Sequence, residues 1–306
     1  MPAQRKEHIL TKLKKLSPGE STTLGAMRKP NGEITTSPED IADLPRSHWG
    51  EVLKKKQIDQ MALQMWMEEL FTKKPDGSLR ASLLQGDAAQ WKVTRKHVQK
   101  AVKYSRNSMP GPDGIPAAAY KSLGDYAVDI LHGAMQALAH EGAEDRLREA
   151  YYDRLDRTGH DFNLALLCCL PKKASGNDQE HGDFYEAGNT RPLALVNLDN
   201  RILASAARIA WEPILEKWVS GMQKGFLTGR VMLHNVLEVD YESMRVSLKC
   251  DKGSLVLFDF SAAFPSVSHG FMFQALRNFG VPEHALHFIK ALYDNNKCNM
   301  IAKGGS

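Results

Sequence analysis

Apolar positions recur at helical spacing along much of the chain. WGEVLKKKQIDQMALQMWMEELF (49–71) sets them three and four apart and predicts one helix whose Met and Trp stripe faces a core. WKVTRKHVQKAVKYSRNS places Val98, Ala101 and Val102 on one face behind Thr94, a residue suited to cap a helix start. YAVDILHGAMQALAH (126–140), NRILASAARIAWEPILEKWV (200–219), VMLHNVLEVDYESMRVSL (231–248) and the stretches 270–278 and 283–295 predict further helices. Two short runs lack that period. NLALLCCL (163–170) and SLVLFDF (254–260) read as strands buried on both faces. MPAQRKEHILTKLKKL at the N-terminus reads as a solvated amphipathic helix. Between these elements, 17–45 is rich in Ser, Thr, Pro and Gly and predicts loop with a short hairpin at Pro30-Asn31-Gly32. Pro75-Asp76-Gly77 predicts a turn, and KASGNDQEHGDFYEAGN a polar loop. No repeat of a 20–50-residue period is visible.

Composition changes this picture little. The chain has 306 residues, 42% hydrophobic and 25% charged, enough for one large domain or two smaller ones. A net charge of +4 permits nucleic-acid binding without requiring it. Cys168 and Cys169 sit inside an apolar run, and no Cys-x-x-Cys spacing occurs, so neither a metal site nor a disulfide framework is expected. The apolar runs fall far short of the roughly 20 residues that span a bilayer, and the N-terminus lacks the apolar core of a secretory signal. The expectation is an intracellular protein, cytoplasmic or nuclear, with no membrane partner.

Three places carry candidate chemistry. In LVLFDFSAAFPSVSH, Asp259 ends the second predicted strand, where a carboxylate leaves the core and faces a cleft; the structural alternative is a plain cap or turn residue. SMPGPDGIPAAAY flanks Asp113 with three prolines and two glycines. That composition makes either a rigid turn between helices or a loop shaped to lie along a nucleic-acid backbone. LALLCCLPKK followed by NTRPLAL sets Lys172, Lys173 and Arg191 around one hairpin-like unit. If the strands pair, the cations converge, as binding of a triphosphate requires.

In their order, SMPGPDGIPAAAYK (108–121), LALLCCLPKK (164–173), NTRPLALVNLDNRILASAARIAWEPIL (189–215), MQKGFLTGR (222–230) and LVLFDFSAAFPSVSHGFMFQALRNFG (255–280) resemble the reverse transcriptases of non-LTR (LINE-type) retrotransposons. Each motif is weak singly; the five in sequence are specific. The resemblance implies an α+β fold: a partial right-hand polymerase with fingers, an incomplete palm and a helix-rich N-terminal extension. It divides the chain into an extension (1–88), fingers and connecting helices (89–250) and the beginning of a palm (251–306).

The same resemblance implies roles for individual positions. Asp259 matches the first of three catalytic carboxylates that hold Mg²⁺ ions for nucleotidyl transfer. Phe264 matches the aromatic gate against a ribose 2′-hydroxyl, beside Phe260 at the nucleotide. Lys172, Lys173 and Arg191 match the grip on the phosphates of a deoxynucleoside triphosphate. Gly111, Pro112, Asp113 and Gly114 match an element contacting template RNA. Gln223, Gly225, Phe226, Gly229 and Arg230 match a connector with a structural or template-backbone role. The implied partners are an RNA template and a DNA primer. Two departures stand out. Pro265 replaces an acid that is not the catalytic one, and no Asp-Asp pair occurs anywhere in the chain. The expectation is therefore a polymerase fragment without activity by itself, or alternatively a non-catalytic RNA- or DNA-binding remnant.

Overall fold

The computed structural model describes residues 24–72, 83–84, 87–152, 162–250 and 252–300. The predicted N-terminal helix and the turn at Pro75-Asp76-Gly77 lie outside them. The fold is α+β. In chain order, β1 (Met27–Arg28) and β2 (Ile34–Thr35) precede α1 (Pro38–Leu53) and α2 (Gln60–Phe71). A run of helices follows: α3 (Arg95–Tyr104), α4 (Ala117–Leu123), α5 (Asp125–Leu138) and α6 (Ala143–Tyr152). Four strands come next, β3 (Leu164–Pro171), β4 (Gly176–Asp178), β5 (Gly182–Phe184) and β6 (Thr190–Val196), and then the long helix α7 (Leu198–Trp218). The chain closes with α8 (Leu233–Lys249), α9 (His269–Asn278), α10 (Glu283–Tyr293) and β7 (Lys297–Met300).

The chain forms two compact units. One gathers 1–54, 166–195 and 298–306; the other gathers 55–165 and 196–297.

In the first unit the predicted hairpin exists. β1 and β2 pair antiparallel around Gly32, whose φ of 91° suits a residue without Cβ. Residues 38–45, read from their composition as loop, are instead the first half of α1. Pro38 sits in the first turn, where its missing N–H costs nothing, and Glu39 and Asp40 complement the helix dipole there. Trp49 of α1 is buried, and its Nε1 donates to Oγ1 of the fully buried Thr190 at 2.8 Å. Strand order in the sheet is β6-β3-β7. The polar loop between β3 and β6 contains a second antiparallel hairpin, β4 with β5. It packs tightly: a Cβ on Gly176 would meet the Phe184 ring at 2.5 Å.

The single helix expected over 49–71 is two, α1 and α2. Asp59 starts the second by accepting from the Ala62 N–H at 3.0 Å, and an N-cap at that point ends the continuity.

The second unit is helical. Its main core joins Val98 and Val102 of α3, Leu131 and Met135 of α5, Ile202 and Leu203 of α7, and Phe288 of α10. Thr94 precedes α3 as predicted, with its N–H donating to His97 Nδ1 at 3.1 Å. A smaller cluster packs Leu63 and Met67 of α2 against Ala275 of α9. Buried amides tie the layers. Asn163 Nδ2 donates to the carbonyls of Ala291 (2.8 Å) and Asp294 (2.7 Å), and Asn200 Nδ2 donates to Asn163 Oδ1 at 3.0 Å. Arg148 adds an ion pair to Asp294, Nε to Oδ2 at 3.0 Å.

One expectation fails. Residues 254–260 do not form a strand. A strand needs a neighbour for its ladder hydrogen bonds, and none of the described strands pairs with this segment. Its apolar side chains stand in solvent instead, with Phe258 88% and Phe260 80% exposed.

Candidate nucleotide and nucleic-acid interface

In the first unit, the Lys172 N–H donates to the Asn189 carbonyl at 3.0 Å, so the end of β3 lies beside the start of β6. These neighbouring strands therefore run antiparallel. Lys172 and Lys173 leave β3 just where Arg191 enters β6, and all three are exposed. The cations that the sequence set around one hairpin thus share one end of one sheet. Among the described residues, only the Lys172 Nζ has a hydrogen-bond partner here, the Gly188 carbonyl at 3.4 Å.

The second unit positions the glycine-proline loop. Gly111 is buried against Asn197, and a Cβ there would fall 2.5 Å from the Asn197 backbone nitrogen. Asn197 Oδ1 accepts from the Asp113 N–H at 3.1 Å. Asp113 in turn accepts from the Ile115 N–H at 3.0 Å, and Gly114 takes φ of 69°. Arg201 of α7 holds the loop's approach, donating to Ser108 Oγ (3.0 Å) and the Met109 carbonyl (2.8 Å). Gly111, Pro112, Asp113 and Gly114 therefore form a rigid turn seated on the first turn of α7, with Gly114 and Ile115 on the exposed side. Next to it, burial pushes the Asp199 carboxyl above its ordinary range; the Asp113 charge adds to this and the Asn200 N–H opposes it.

The connector after α7 is organised by Arg230. Its guanidinium donates to four carbonyls: Ser220 at 2.6 Å, Gln223 at 2.7 Å, Glu216 at 3.0 Å and Val219 at 3.1 Å. A cation here also meets the negative end of the α7 dipole. Glu212 Oε1 accepts from the Thr228 N–H at 2.7 Å, and the Thr228 side chain first, with this N–H and Arg208 adding to it, holds that carboxyl below its ordinary range. Gln223 Nε2 contacts the Gly225 carbonyl at 3.4 Å, and Gly229 adopts φ of 78°. These bonds tie the connector to the end of α7.

Two residues from separate motifs meet. Phe226 and Phe264 stand edge to face with ring centroids 5.8 Å apart, and they are 84% and 77% exposed. Phe226 holds φ of 67°, unusual for a bulky residue. Sequence reasoning placed both at a site but foresaw no pairing between them.

Asp259 is exposed and accepts no hydrogen bond from the described residues. A magnesium centre takes several hard oxygen ligands in near-octahedral array. Among the described residues no group of three or more His, Cys, Asp or Glu side chains is placed to hold a metal ion. Asp259 alone does not fit a two-metal centre. No helix among the described residues is long and apolar enough to cross a membrane.

Comparison with known proteins agrees in origin. The retrovirus-related Pol polyprotein from type-2 retrotransposable element R2DM of Drosophila melanogaster is 25% identical over 247 residues, covering 79% of this chain and 20% of that protein. The Transposon TX1 uncharacterized 149 kDa protein of Xenopus laevis is 22% identical over 272 residues, covering 88% of this chain and 18% of that protein. No protein-family model matches the chain. The chain spans about a fifth of the length of these curated relatives (20% and 18%). These relatives support a retrotransposon origin for the chain.

Proposed function

We propose that the chain is the fingers side and first palm motif of a retrotransposon reverse transcriptase, built to hold a nucleotide and a template within a longer polypeptide. One observation supports the reading: Lys172 and Lys173 leave β3 beside the point where Arg191 enters β6, and all three are exposed. Arg grips phosphate oxygens in a fork while Lys adds point charge, so this end suits a triphosphate or a nucleic-acid backbone. The five ordered motifs and the retrotransposon relatives add to it. Asp259 supplies one carboxylate of the metal-binding set, and the other acids are not encoded in this sequence. The chain's own part is to grip and orient a nucleotide and a template.

A second reading, a non-catalytic RNA- or DNA-binding remnant, is favoured by the lone exposed Asp259. Two measurements on the purified chain test the pair: salt-dependent binding of single-stranded RNA, and primer extension with Mg²⁺. The reading expects binding without extension, and extension when the chain is joined in cis to a polymerase segment that carries the Asp-Asp acids. Extension by the 306-residue chain alone would overturn both readings. Binding with no extension in the joined form would leave the remnant.

A further inference from the structure

Helix α3 of the second unit carries a charge pattern that the rest of the chain does not share. From residue 88 to residue 112 the sequence has six Lys or Arg and no Asp or Glu, so this stretch alone exceeds the net charge of +4 of the entire chain. Arg95 is accounted for: its guanidinium donates to Asp125 at 2.9 Å and to Asp129 at 2.6 Å, both on α5. Lys96, Lys100 and Lys103 are exposed and have no acidic partner among the described residues.

At 3.6 residues per turn these three positions fall within an arc of about 60°. Val98, Ala101 and Val102 occupy the opposite face, buried in the core with residues of α5 and α7. The lysines therefore form one ridge along the outer side of a helix that the core holds fixed. They follow one another at about 6 Å and then about 4.5 Å of axial rise. Lys103 Nζ lies 5.5 Å from the centroid of the Tyr104 ring, which is 70% exposed. Past that ring the chain is fastened by two more cations. Lys121 donates to the Ser105 carbonyl at 2.7 Å, and Arg201 holds Ser108 and Met109. Arg106 stands exposed between them.

Like charges four apart, as in Lys96 and Lys100, destabilise a helix, so stability alone does not account for the ridge. Evenly repeated charge along a line matches a polyanion of regular spacing. Each strand of a nucleic acid offers one phosphate per about 3.4 Å of helix axis. An ammonium is a point charge without a planar fork, so it attracts a phosphate and reads no base. A membrane surface is the poorer match. An interfacial helix buries its apolar face in the lipid, and here that face is in the protein core.

We propose that the ridge of Lys96, Lys100 and Lys103 is a sequence-independent track for the phosphodiester backbone of a single-stranded nucleic acid, with Tyr104 as a stacking ring for a base at its end. Basic tracks joined to exposed aromatics bind single strands in this manner. The proposal rests on the reading above only for the kind of polymer and shares no residue with the basic sheet end.

Fluorescence anisotropy of two labelled single strands of unrelated sequence, each as RNA and as DNA, titrated with the intact chain over a range of salt, tests the proposal. Lys96→Gln with Lys100→Gln and Lys103→Gln keeps good helix formers at exposed positions, so the melting temperature should hold. In that triple variant the slope of log affinity against log salt should shallow by about 2, at about 0.7 per lost phosphate contact, and equally for every strand. Arginine at the same three positions should restore the slope. On the unaltered chain, a bound strand should slow acylation of these three amines, read by mass spectrometry, which needs no variant to fold. No binding of any strand, an unchanged slope, unprotected amines, or a loss confined to one sequence or one polymer would each overturn the track. So would binding to phosphatidylserine vesicles that the triple variant loses while its slope with nucleic acid stays the same. If the triple variant keeps its slope while Lys172→Ala with Arg191→Ala shallows it, the track falls and the reading of the sheet end stands.

Discussion

The backbone nitrogen of Asn197 lies 2.5 Å from where a Cβ on residue 111 would be built, so Gly111 and Asn197 touch backbone to backbone. Replacing Gly111 by Ala forces backbone apart, since two of the three atoms in the way, the Asn197 nitrogen and Cα, are backbone. The expected loss is about 3 kcal/mol, the upper range for overpacking. Gly114→Ala meets open space and carries only the cost of its φ of 69°, about 1–2 kcal/mol. Urea denaturation midpoints at constant m-value give the comparison. Equal losses at the two positions would mean that the loop is not seated on Asn197.

Arg230→Ala removes four hydrogen bonds from a charged group to the end of α7 and its connector. Stability should fall by about 2 kcal/mol. Arg230→Lys should recover less than half, because an ammonium cannot reproduce the planar fork. Amide exchange in residues 216–223 should quicken in both variants.

The basic sheet end should behave in the opposite way. Lys172→Ala with Arg191→Ala leaves folding stability within about 0.5 kcal/mol of the parent, as for exposed sites generally. Single-stranded RNA affinity should nevertheless drop, and the slope of log affinity against log salt should shallow by about 0.7 per cation removed. An unchanged slope would remove these residues from any nucleic-acid contact.

Asp199 sets a pH dependence. Its folded-state carboxyl titrates above the ordinary value of 3.8, chiefly through burial. The folded chain therefore holds this proton more readily than the unfolded chain does. Charge burial costs stability above that raised value, and the cost is relieved as pH falls through it towards the unfolded value. Asp199→Asn should be more stable than the parent at neutral pH, with the gain disappearing by about pH 4. Thermal melts across that range read it directly.

Phe258 and Phe260 stand in water beside Leu255, Val256 and Leu257, which are also exposed. Contiguous apolar surface of this kind favours association. Phe258→Ser should lower light scattering of concentrated protein and reduce binding of a hydrophobic dye, without lowering the melting temperature.

Much of this architecture was legible in the residues because helices announce themselves by period. Thr94, the 126–140 stripe and the 200–219 stripe each led to an observed helix nearly residue for residue. The misses have local causes. Asp59 caps a new helix in the middle of a continuous apolar stripe, and the stripe outweighed a single polar residue. β4 and β5 are three residues each and carry Gly176 and Gly182, so no alternation could develop. The 254–260 run has every intrinsic mark of a strand, yet pairing depends on neighbours and none of the described strands supplies it. At the site, the nearness of the Lys172 backbone to the start of β6 followed from strand pairing alone. The targets of Arg230 and the grip of Asn197 on Asp113, 84 residues away, depend on tertiary approach that no local pattern encodes.

The first unit is assembled from three separated stretches of chain, with the whole of the second unit threaded between them. During synthesis its hairpin and α1 emerge early, β3 and β6 much later, and the outer strand β7 only after α10 has been made. Neither body can be cut free by one break in the backbone. A clone that begins at residue 55 discards half of a sheet-bearing body rather than a dispensable leader.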